Sequence, residues 1–185
     1  MSFLKGFFYA FRGIVNCVCD ERNMRIHMIA AMYVLYFSQF YNLSVAKLSI
    51  LLIVIAFVIA LELLNTAIER ACDAITTEHS RFIKLAKDAS AGAVLVGATV
   101  SVFIGVLMFG DTTVIWEIIS FLCNTPEYLA VFIISMLFSV LFVIIGPKGI
   151  VDNIKSAIEL RRELKKENEE ISENKTVKEE KAEMK

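Results

Sequence analysis

The chain has 185 residues, 57% of them hydrophobic, and a mean hydropathy of +0.63, which excludes an ordinary water-soluble domain of this length. The formal net charge of −1 gives no basic surplus for nucleic acid. About half of the charged residues follow Ile150, where acids and bases nearly cancel.

In chain order, the first segment carries Phe3, Phe7, Phe8 and Phe11 at helical spacing, opposite Lys5 and Arg12. It reads as an amphipathic helix lying on the inner membrane surface, and not as a cleavable signal, because the charges interrupt its apolar run. Four charge-poor stretches follow: Ile26 to Ala46, Leu48 to Ile68, Ala89 to Gly110 and Tyr128 to Pro147. Each is long enough to cross a hydrocarbon core of roughly 30 Å as a helix. Basic residues collect before the first stretch and between the second and third (Arg70, Arg81, Lys84, Lys87), whereas the loop from Gly110 to Glu127 has none. That asymmetry places both termini on the cytoplasmic side. The tail from Asp152 starts as a short amphipathic helix and is expected to fray into disorder as its apolar residues thin out. Cys17, Cys19, Cys72 and Cys123 fall at irregular spacing and imply neither a disulfide framework nor a metal knot.

The second apolar stretch holds an anomaly. Glu62 sits within it, and Asn65, Glu69 and Asp73 follow at offsets of three, seven and eleven. At about 100° per residue these four occupy one stripe of roughly 80°. A carboxylate in lipid is costly, so such a column calls for a purpose. Acids in this arrangement suit Mg²⁺, a hard cation that shares its shell with nucleotide phosphates, and a buried carboxylate suits the role of base toward an alcohol. The plainer alternative is that the acids pair with Arg or Lys of neighbouring helices. A second charged cluster runs from Asp20 to His27; in it Asp20 fits a helix cap, Arg22 and Arg25 fit inner-face anchors, and Glu21 can face the same site as Glu69. A third comprises Glu78, His79, Ser80, Lys84, Lys87 and Asp88. Lys87 at a membrane boundary can neutralise phosphate charge, although a snorkelling anchor reads the same. Ala93, Gly97, Ser101 and Gly105 form a small-residue stripe suited to close helix approach. No phosphate-cradling glycine loop of soluble nucleotide folds is present.

The run Glu62-Leu-Leu-Asn-Thr-Ala-Ile-Glu69, then Asp73 and Ala86-Lys-Asp-Ala-Ser-Ala-Gly-Ala-Val-Leu95, resembles the signature of prokaryotic diacylglycerol kinases. So do Phe7-Phe-Tyr-Ala-Phe-Arg-Gly13 and Glu21-Arg-Asn-Met-Arg-Ile-His27, the latter in the form of the Gram-positive branch that includes undecaprenol kinases. The resemblance implies an all-α integral membrane lipid kinase: an N-terminal amphipathic surface helix and a three-span core over residues 1–110. An additional membrane helix with its outer loop then occupies 111–150, and a charged cytoplasmic helix and tail occupy 151–185. It implies Glu62 as catalytic base with Asn65 beside it, Glu21 and Glu69 as magnesium-associated acids, and Tyr9, Glu78, His79, Ser80, Lys87 and Asp88 as contacts to ATP. It also implies a membrane-lipid alcohol as acceptor, undecaprenol ahead of diacylglycerol, and a homotrimer with sites shared between subunits. Family members carry a basic residue where this chain has Ser2, and Lys5 is the nearest substitute. From the residues alone, a non-enzymatic transporter or assembly subunit with ion- or helix-binding acids is the competing reading.

Overall fold

In the computed structural model, residues 3–75 and 80–183 are described, and all of their regular structure is helical. The elements are α1 (Phe3–Asp20), α2 (Arg22–Ser38), α3 (Val45–Ile75), α4 (Arg81–Phe109), α5 (Thr112–Asn124) and α6 (Pro126–Glu183). Among the described residues, three helices qualify as membrane spans by length and composition: Val45–Ile75, Arg81–Phe109 and Pro126–Ser156. Their outward side chains, among them Ile53, Leu95, Phe103, Leu107 and Ile144, are exposed and apolar, as a helix surface bathed in lipid requires.

The first expected span is shorter than its hydropathy indicates. α2 stops at Ser38 after 17 residues, about 26 Å at 1.5 Å per residue. Bonds from Phe40 N to Phe37 O and from Tyr41 N to Ser38 O tighten the chain, and Asn42 then takes φ 36°, a left-handed conformation that Asn tolerates better than most residues. Phe40, Tyr41, Leu43 and Val45 keep the stretch apolar through this turn, which is why hydropathy ran on to Ala46.

The expected outer loop is also corrected, because most of it is α5. Asp111 Oδ1 accepts from Thr113 N at 2.9 Å and starts that helix. Pro126 opens α6, where a missing N–H costs nothing. α6 is interrupted at Gly146 (φ 68°, ψ 167°) ahead of Pro147. There the chain divides into two compact units, Met1–Gly146 and Pro147–Lys185. In the second unit the backbone stays helical to Glu183 instead of fraying. Its Glu, Lys and Arg are strong helix formers, a preference that the thinning of apolar residues does not remove.

α3 and α4 form an antiparallel pair that is the best-packed part of the first unit. A Cβ on Gly97 would meet Leu61 Cδ1 at 2.5 Å, so the helices approach closely there. The small-residue stripe does not work along its whole length, since a Cβ on Gly105 would have no neighbour within 4 Å. α1 and α2 pack on α3 near its C-terminal half and bury Cys17 and Met24.

Candidate active site

The acidic stripe of α3 is buried against protein at its Glu62 end and grades to exposed at Asp73. Glu62 is 2% exposed. Its Oε1 lies 3.2 Å from His27 Nε2 on α2, yet the imidazole N–H is not aligned for a hydrogen bond, and that oxygen is left without a donor. A buried acceptor in this state carries an unpaid desolvation penalty, which a proton, a cation or a substrate hydroxyl can relieve.

One helical turn on, Asn65 links two elements. Its Nδ2 donates to Glu69 Oε1 at 2.9 Å, and Ser90 Oγ of α4 lies 2.7 Å from Asn65 Oδ1. Ser90 Oγ is also 2.9 Å from Lys87 O. Its single hydroxyl proton therefore serves one of the two, with α4 fixed against the stripe in either case. Thr66, between these turns, contacts Cys17 Sγ of α1 at 3.2 Å. Burial pushes the Cys17 thiol above its ordinary range, an effect that the Thr66 hydrogen bond opposes. At the exposed end of the stripe Lys87 Nζ pairs with Asp73, and Arg70 Nη2 pairs with Asp20 Oδ2 at 2.8 Å. Asp20 is thus an ion-pair partner, and α1 ends where it pairs.

Glu21 occupies the corner between α1 and α2 as a half-buried N-cap with an extended backbone (φ −99°, ψ 121°). Its side chain caps nothing, and it stands with Glu69 within electrostatic reach of Glu62. Glu21, Glu62, Asn65, Glu69 and Lys87 therefore gather on the surfaces shared by α1, α2, α3 and α4. Tyr9 lies farther along α1, half-exposed, with the Arg12 guanidinium 5.7 Å from its ring centre. Ser80 is the N-cap of α4 without a side-chain cap bond, and Asp88 is exposed. Glu78 and His79, like Ser2, lie outside the described residues.

Among the described residues no three His, Cys, Asp or Glu side chains converge as a ready metal cage. Mg²⁺ needs no such cage, because it keeps several waters and is commonly bound by one or two carboxylates together with substrate phosphates. Glu21, whose side chain caps nothing, and Glu69, which accepts one amide donor, are two carboxylates that fit that pattern.

Sequence reasoning had no means of singling out Ser90, Thr66 or the His27 approach to Glu62, because each gains its meaning from a neighbouring helix. A cleft of about 100 Å³ rises from His27 between α2, α3 and α4, lined by Ala30, Ala31, Val58, Ser101 and Gly105. A larger apolar groove of about 340 Å³, walled by α2, α5 and α6 at Tyr33, Phe37 and Phe132, lies away from the carboxylates.

The sequence profile described as prokaryotic diacylglycerol kinase matches residues 8–109, more than half of the chain. The chain belongs to that family. It is accordingly an ATP-dependent lipid kinase of a prokaryotic membrane, with several membrane passes, and the matched region ends with α4. An undecaprenol kinase of Bacillus subtilis is 45% identical over 107 residues, covering 58% of this chain and 87% of the relative. A diacylglycerol kinase of Synechocystis sp. is 33% identical over 105 residues, covering 56% of this chain and 60% of the relative. For this family member, α5 and α6 are additions beyond the matched region.

Proposed function

We propose that this kinase transfers the γ-phosphate of ATP to undecaprenol in preference to diacylglycerol, with Glu62 as the base. The observation that carries the catalytic part is the buried Glu62 carboxylate, whose Oε1 has no aligned donor and lies 3.2 Å from His27, a residue that lines the cleft between α2, α3 and α4. A lipid alcohol entering sideways from the bilayer brings its hydroxyl to that oxygen and its chain to the apolar wall above. Glu62 accepts the hydroxyl proton as the alcohol oxygen attacks the γ-phosphorus in line, and ADP leaves. Glu21 and Glu69 are the residues that would hold Mg²⁺, which supplies charge neutralisation at the phosphates when bound. Asn65 and Ser90 keep Glu69 in place, and Lys87 offsets phosphate charge from the α4 side, with Tyr9, Glu78, His79, Ser80 and Asp88 as further nucleotide contacts. Catalysis on this reading rests on positioning and electrostatics, as is general for phosphoryl transfer.

The preference for undecaprenol rests on likeness to the Bacillus subtilis relative, which the chain covers almost throughout. We take the active form to be a homotrimer in the cytoplasmic membrane with both termini cytoplasmic. The α1 and α3 phosphate-facing residues then meet ATP from inside. Comparing turnover of the purified full chain on the two lipids tests the substrate assignment. A kcat/KM roughly tenfold higher on undecaprenol, about 1.4 kcal/mol of discrimination, is expected, and equal or reversed values contradict it.

A further inference from the structure

The structure gives Arg25 a place that its charge alone does not explain. It is 6% exposed, not an anchor reaching into the headgroups. Its guanidinium reaches two helix ends. Nη1 donates to Val18 O and to Cys19 O, both at 3.1 Å, at the C-terminal end of α1. Nε and Nη2 donate to Val143 O at 3.3 and 3.1 Å, just before the break in α6.

These carbonyls are orphans for identifiable reasons. α1 ends at Asp20 and the backbone turns extended at Glu21, so Val18 and Cys19 lie among the last carbonyls of a helix. Val143 would ordinarily accept from the backbone N–H four residues on, but that residue is Pro147, which has none. The positive fork thus satisfies the exposed acceptors of two helix C-termini, where the helix dipoles also favour a cation. Gly146 makes room for it. Its conformation (φ 68°, ψ 167°) belongs to a region nearly restricted to glycine, and a Cβ there would stand 2.9 Å from Arg25 Cζ.

We propose that Arg25 is a positioning residue through which the appended helix α6 braces the α1–α2 corner, and with it Glu21, against the carboxylate column of α3. The inference rests on the reading of Glu21 as part of the nucleotide site. α6 thereby becomes a working part of the catalytic face, although it lies outside the region matched to the family. Lysine cannot replace Arg25, since one ammonium cannot span both helix ends, whereas an anchor that needed only charge would accept it.

Two variants of the full chain in phosphatidylglycerol-containing nanodiscs test this. Arg25→Lys keeps the charge. Gly146→Ala leaves Arg25 in the sequence but displaces its guanidinium. The first readout is the rate at which maleimide alkylates Cys17, which is 1% exposed beneath the corner; the second is the split between kcat and the KM for ATP with magnesium. Both variants are expected to raise the alkylation rate about tenfold and KM roughly five- to tenfold, as loss of charge-assisted hydrogen bonds does, with kcat within about twofold of wild type. Wild-type behaviour of Arg25→Lys, or a Gly146→Ala protein with wild-type Cys17 protection, overturns the proposal. Glu21→Gln is measured alongside. Should it leave KM unchanged, the assignment of Glu21 fails, and the brace is then judged by alkylation alone: faster labelling in Gly146→Ala upholds it and unchanged labelling overturns it.

Discussion

His27 Nε2 stands 3.2 Å from Glu62 Oε1, between α2 and α3, in a site where the carboxylate is almost wholly buried. The pair is close enough to interact electrostatically but is not aligned as a hydrogen bond, so the carboxylate remains available to a third group. A packing contact between helices would be expected to satisfy that oxygen, whereas a site that must take up a proton during reaction needs it open.

Replacing His27 with Leu removes the polar neighbour of Glu62 while keeping the corner packed. A fall in kcat of roughly tenfold is expected from loss of electrostatic support in a buried site, with the KM for ATP little changed. Steady-state kinetics with saturating lipid checks this, and a proportionate rise in KM with unchanged kcat would show that His27 serves nucleotide binding instead.

Asn65→Ala cuts the link from Ser90 to Glu69. With about 1 kcal/mol per hydrogen bond, the KM for ATP with magnesium is expected to rise about fivefold, and Ser90→Ala to produce a smaller rise of the same kind. The double variant should cost less than the product of the single effects, because both changes break one network.

Lys87→Met is expected to raise the KM for ATP roughly tenfold through loss of a charge-assisted phosphate contact, and the effect should shrink as salt screens the site. Asp73→Asn frees the Lys87 ammonium from its partner and should leave thermal stability unchanged, since exposed ion pairs contribute little. Titrating ATP at low and high ionic strength separates the two.

Cys17 supplies a pH test outside the membrane-spanning helices. Burial raises its thiol pKa, so the folded state favours the protonated thiol. The associated stability is fully present below the ordinary thiol range and is lost as pH rises through the folded value. Thermal unfolding from pH 7 to 10 should show an alkaline decline that Cys17→Ala reduces, and an identical decline in that variant would assign it to other groups.

The polar column of the candidate site was legible in the sequence because its residues obey the 3.6-residue period, and Glu62, Asn65, Glu69 and Asp73 do lie on one side of one helix. The helical class and the three long spans followed from continuous apolar runs. Hydropathy does not register a turn made of apolar residues, so the end of α2 at Ser38 was missed, as was α5, whose start depends on the Asp111 cap. Arg25 was read as a surface anchor because its partners, Val18, Cys19 and Val143, are backbone carbonyls that no side-chain pattern announces. Its contact with Val143 spans 118 positions, a relationship created only by packing.

The most direct measurement is transfer of labelled γ-phosphate from ATP to lipid by the purified full chain and by Glu62→Gln, at matched folding and matched ATP binding. The wild type should form labelled lipid phosphate, and the variant should lose on the order of a hundredfold or more in kcat, the scale of general-base removal. Glu62→Gln protein working at the wild-type rate would contradict the account.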